Sequence, residues 1–120
     1  MLRILAIFFG LIMIAFGILG FMPEFVKEGK LMGIFSVNFW HNAIHLATGI
    51  LSLLCGFSSS ATSKVFFILF GLTYLTIAVL GFMLGQGMLF GMVAINHADN
   101  WLHLAISIAT LYFGLIIKSK

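Results

Sequence analysis

Histidines, asparagines and one aspartate, set at helical spacing, carry most of the chemistry open to this 120-residue chain. His41 and His45 stand four residues apart, interleaved with Asn38 and Asn42. Asn96, Asp99, Asn100 and His103 repeat the arrangement farther on. An α-helix turns about 100° per residue, so Asn38, His41, Asn42, His45 and Gly49 share an arc of roughly 100°. Asn96, Asp99, Asn100, His103 and Ser107 fill the same arc on a second helix.

These groups support several chemistries. Two neutral imidazoles, His45 and His103, one from each helix, can hold a haem iron axially, and a chlorophyll-type pigment can take one. His41, His45, His103 and Asp99 offer the imidazole and carboxylate donors that suit zinc, copper or iron. The same side chains can instead close a structural network, with His41 paired to Asp99. In that network His45 and His103 bond Asn100 and Asn42 of the opposite helix. Asn38 and Asn96 stand where N-caps belong, and Asn is among the best capping residues. Asp99, at the third helical position, suits the positive helix end. A path for protons or ions is poorly supported, because only the outer half of the stripe is polar. There is no activated nucleophile, phosphate loop or close pair of acids, so the sequence points away from an enzyme.

The elements that hold this stripe are apolar. The composition is 62% hydrophobic and 8% charged, with mean hydropathy +1.23. Soluble domains carry about 25% charged residues, so a chain this apolar is expected to be solvated by lipid. A spanning helix needs about 20 mostly apolar residues, and residues 4–22, 39–57, 65–84 and 98–117 qualify. The first run is longer than a secretory signal and lacks a small-residue cleavage pattern, so it reads as a retained helix ending before Pro23. The apolar stretches 31–37 and 88–95 are too short to span and read as interfacial or re-entrant. Residues 58–64 read as a short polar connection.

Arg3, Lys64, Lys118 and Lys120 fall on one side of this arrangement, and Lys27 and Lys30 on the other. The bias places both termini in the cytoplasm. The formal charge of +3 marks helix ends and makes no nucleic-acid surface. Cys55 is the only cysteine, so no internal disulfide can form. His97, Trp40 and Trp101 read as interfacial anchors, and Gly10, Gly17 and Gly20 as a close helix contact.

The chain also resembles itself. Residues 31–50 set over residues 89–108 match at eight of 20 positions without gaps, including Asn38/Asn96, Asn42/Asn100 and His45/His103. Phe9-Gly10-Leu11 likewise matches Phe70-Gly71-Leu72. The expected fold is therefore all-α: one transmembrane domain over residues 1–120, a four-helix bundle of two tandem hairpin repeats, about 1–57 and about 62–117. Helices 2 and 4 then occupy equivalent places, related by an axis along the membrane normal.

The pair of motifs, Gly33-Phe35-Val37-Asn38-His41-Asn42-His45-Leu46-Gly49 and Ile95-Asn96-Asp99-Asn100-His103-Leu104, resembles the DUF4383 family of small bacterial four-helix membrane proteins. The resemblance covers nearly the whole chain; Ser107 departs from it, standing where the pattern favours a glycine. It implies the four-helix fold and a bacterial inner-membrane location, and carries no assigned function. Two readings stay open. One is a structural or accessory membrane subunit, meeting lipid and a larger complex or further copies of itself. The other is a protein that binds a tetrapyrrole or a transition metal through His45 and His103.

Overall fold

The computed structural model describes residues 1–118; Lys120, counted above among the topology signals, lies outside them. Four helices make up most of the fold: α1 Leu2–Phe21, α2 Phe39–Ser58, α3 Ser60–Leu84 and α4 His97–Ile116. Pro23 lacks an N–H and cannot continue a helix; it opens a 3-10 turn, Pro23–Phe25, directly after α1. α1 packs along α2, and α3 along α4. Glycine sets the closeness of both pairs. A Cβ on Gly10 would lie 2.7 Å from the Gly49 carbonyl oxygen, and one on Gly71 would meet Leu111 at 2.7 Å. Gly17 and Gly20 also face α2, so the glycine face of α1 serves a contact within the chain.

Three segments go beyond the sequence reading. The stretches read as interfacial or re-entrant form small antiparallel ladders. The first joins β1 Val26–Lys27, β2 Lys30–Leu31 and β3 Phe35–Ser36; the second joins β4 Gly87–Leu89 and β5 Val93–Ile95. Glu28 and Gly29, both at positive φ, close the β1–β2 turn in the manner of a two-residue hairpin. The polar connection at 58–64 shrinks to one residue, because α3 starts at Ser60. The Ser59 hydroxyl accepts the Thr62 N–H at 3.0 Å. Thr62 and Ser63 donate their hydroxyls to the Cys55 carbonyl at 2.9 and 3.1 Å. The serine-rich stretch thus ends one helix and starts the next.

The interior is layered. At the end holding the N-terminus, Leu2, Ala6, Phe66 and Phe67 form an apolar cluster, joined by Phe9, Phe70 and Phe113. There Arg3 donates to the Gly56 and Phe57 carbonyls, each at 2.9 Å, and Lys64 donates to the Gly114 carbonyl. Cations at helix C-termini satisfy open carbonyls and complement the helix dipole. At the other end Leu89, Val93 and Ile95 form a second apolar cluster. A polar layer lies within the bundle, and many large apolar side chains, among them Phe8, Leu54, Leu69 and Ile108, face outward. Two helices, Leu2–Phe21 and Ser60–Leu84, are long and apolar enough to cross a membrane.

Candidate functional site

The polar layer begins at two asparagine caps. Asn38 starts α2, its side-chain oxygen accepting the His41 N–H at 3.0 Å. Asn96 starts α4 by accepting the Asp99 N–H at 2.9 Å, while Asp99 Oδ2 accepts the Asn96 N–H at 3.0 Å. That reciprocal pair is a capping box with aspartate as the return acceptor. Each cap then reaches across to the other ladder. Asn38 Nδ2 donates to the Met92 carbonyl, and Asn96 Nδ2 to the Ile34 carbonyl, both at 2.8 Å. One residue thus stops disorder at a helix start and ties that start to the opposite hairpin.

Below the caps, helical spacing turns His41, Asn42 and His45 of α2, and Asp99, Asn100 and His103 of α4, into the interior, where all six are buried. The His41 and His45 rings pack at 4.5 Å, and His103 comes to 5.5 Å from His41 and 6.2 Å from His45. One ring nitrogen from each histidine lies within 4.8 Å of the others. Asp99 Oδ1 stands 4.0 Å from His41 Nε2. His41 Nδ1 meets the Ala94 carbonyl at 2.6 Å. A carbonyl only accepts, so Nδ1 carries the hydrogen and Nε2 turns toward the cluster.

The asparagines depart from the expected network. Asn100 does not reach a histidine of α2; its Nδ2 donates to the Gly81 and Gly85 carbonyls at 3.0 and 2.8 Å. Asn42 lies against Gly20, where a Cβ would come to 1.9 Å from its Oδ1; at Gly81 the distance to Asn100 Oδ1 would be 2.2 Å. Both asparagines therefore face the helix paired with their own, through a gap that glycine leaves. His41 Nε2, His45 Nε2, His103 Nδ1 and Asp99 Oδ1 are buried without a hydrogen-bond partner among the described residues.

The other helices complete the walls. Phe16 of α1 meets His45 edge-on at 6.3 Å, and Tyr74 of α3 lies 5.7 Å from His103. The Tyr74 hydroxyl hydrogen-bonds Thr48 at 3.1 Å. Sequence reasoning passed over Tyr74, although a lone tyrosine in an otherwise apolar helix is a usable signal, since a buried hydroxyl needs a partner. A cavity of about 220 Å³ adjoins the histidines, walled by Ile44, Ile77, Leu89 and Val93. Thr48, Ser52, Ser107 and Thr110 continue the buried face, and each donates to a backbone carbonyl. His97, Trp40 and Trp101 lie exposed on the outside.

A family model described as a domain of unknown function, DUF4383, matches residues 3–116 of this chain. No curated protein matches it, and no solved structure does.

Proposed function

The chain belongs to the DUF4383 family, and from that premise we propose that it is an integral membrane protein crossing the bilayer four times, as an accessory subunit built from two tandem hairpins. The observation that carries this reading is the inverted distribution of polarity. His41, Asn42, His45, Asp99, Asn100 and His103 are buried, while Phe8, Leu54, Leu69 and Ile108 face outward. A protein in water gains by the opposite arrangement, whereas lipid solvates apolar side chains and ionisable groups turn to the bundle interior. α2 and α4 are less apolar than α1 and α3 because they carry this inward face. The inner membrane is the location this reading assigns, with both termini cytoplasmic and both ladders outside.

Paired contacts support the duplication. Asn38 and Asn96 reach Met92 and Ile34, pairs that are each 58 residues apart. Arg3 and Lys64, 61 residues apart like the first helices of the two halves, reach Gly56 and Gly114, which are 58 apart. Met32 and Phe90 share a left-handed backbone conformation before Gly33 and Gly91. Such agreement follows when one hairpin is copied and the copies dock face to face.

A tetrapyrrole fits this interior poorly. The space beside the histidines is about 220 Å³, below the roughly 300–1,000 Å³ that encloses a drug-sized ligand. Three imidazoles already crowd together where a flat macrocycle would have to enter.

Single cysteines placed at Gly29, Met88 and Ser59 in a Cys55→Ser background test the topology. An impermeant thiol reagent applied to intact cells should label the first two positions and spare the third. Labelling of Gly29 and Met88 from opposite sides, or release of the protein from membranes by alkaline carbonate, would overturn the reading.

A further inference from the structure

We infer that His41, His45 and His103 form a binding site for one first-row transition-metal cation, with Asp99 supplying the balancing charge. The argument rests on the convergence of the three ring nitrogens, within 4.8 Å of one another, and on what surrounds them. His41 already has the form of a metal ligand: its Nδ1–H is held by the Ala94 carbonyl at 2.6 Å. Metal-ligating histidines usually donate their other N–H in this way, which fixes the tautomer and aims the lone pair.

Four of the six buried side-chain atoms without a partner among the described residues belong to this cluster: His41 Nε2, His45 Nε2, His103 Nδ1 and Asp99 Oδ1; the other two, Asn42 Oδ1 and Asn100 Oδ1, lie against Gly20 and Gly81. A cluster serving only as glue is expected to satisfy its buried polar atoms, because each unpaired one weakens the fold. The glue in this bundle lies elsewhere, in the Asn38, Asn96 and Asn100 bonds. In neutral rings these three nitrogens can each offer a lone pair beside the carboxylate oxygen, and a cation would satisfy them together.

Ligand chemistry narrows the ion. Imidazole suits zinc, copper, iron and nickel, whereas magnesium and calcium take oxygen ligands. Zinc–nitrogen bonds of about 2.0–2.1 Å put tetrahedral ligands ~3.3 Å apart. Binding therefore requires the rings to close from the observed 4.8 Å limit by side-chain rotation. Asp99 Oδ1, 4.0 Å from His41 Nε2, is near enough to offset the charge of the ion. The adjoining cavity of about 220 Å³ lets a water or small ligand take a fourth position.

The test uses full-length protein purified in detergent, stripped with chelator and titrated with Co²⁺. One Co²⁺ per chain should bind, with the visible absorption of a four-coordinate ion, and excess Mg²⁺ should not displace it. His45→Phe and His103→Phe, judged folded by circular dichroism and thermal melting, should each weaken binding by more than the roughly 10–100-fold typical of outer-shell changes. Unchanged binding in these variants, or no binding by folded wild type, overturns the site. Should the variants fail to fold, Cu²⁺-loaded wild type decides: nitrogen couplings from three imidazoles support the site, and fewer overturn it.

Discussion

His41 Nε2 and Asp99 Oδ1 face each other at 4.0 Å, from positions that correspond when the two halves of the chain are aligned. The separation is too long for a hydrogen bond. Divergence at one aligned position has placed an imidazole on one side and a carboxylate on the other. Asp99→Asn therefore separates two tasks. An amide oxygen can still accept the Asn96 N–H, so the α4 cap should persist and the melting temperature should move little. Co²⁺ affinity should fall by roughly 10–100-fold, as read by equilibrium dialysis.

Acid should empty the site. Imidazole ligates as the neutral base, so protons compete with the metal and binding releases them. The cobalt absorption should be full at neutral pH and fade as the pH is lowered into the acid range. An absorption that is flat across this range would mean the ion sits on other ligands.

The two caps should differ in weight. Asn38→Ala removes a cap and two bonds to the opposite ladder. Asn96→Ala removes a cap and one such bond, and keeps the return half of the capping box, because Asp99 accepts from the residue-96 backbone N–H. Loss of a cap costs about 0.5–2 kcal/mol; Asn96→Ala should fall near the middle of that range and Asn38→Ala at or above its top. Reversible unfolding in mixed micelles would measure both, and an equal cost would deny the second ladder bond any added role.

Gly81 and Asn100 should be coupled. Gly81→Ala forces a Cβ toward Asn100 Oδ1, to 2.2 Å if nothing moves, and overpacking of this kind costs about 1–3 kcal/mol. In an Asn100→Ala background the space is open, so the same substitution should cost less than half as much. Additive costs in this double-mutant cycle would place the strain elsewhere.

The polar stripe was legible because Asn, His and Asp stand out in helices otherwise made of Leu, Ile, Phe and Gly, and helical spacing put them on one face. Their partners were harder to read. Asn100 could not be assigned to Gly81 from sequence, since the choice depends on which neighbour leaves a gap and not on which offers a side chain. The ladders escaped notice because strands of two or three residues are too short for an alternating pattern to register. Ser59 was hidden in a run of similar residues, where capping geometry alone decides which serine breaks the helix. His41 was visible as a stripe residue, but its bond to the Ala94 carbonyl comes from the other half of the chain.

The single residue between α2 and α3 bears on how many chains make one bundle. If Ser59 adopted helical angles, residues 39–84 would form one rod of roughly 70 Å at 1.5 Å per residue. Each hairpin would then be free to dock on a hairpin from a neighbouring copy. The bilayer penalises that exchange, because its hydrocarbon core is only about 30 Å thick and such a rod would drive an apolar end into water. Lipid thickness thus acts as a proofreading constraint on assembly, holding both hairpins of one chain together around a shared centre. In a micelle, which adapts its shape to the protein, that constraint weakens, and hairpin-exchanged dimers become accessible to the same sequence.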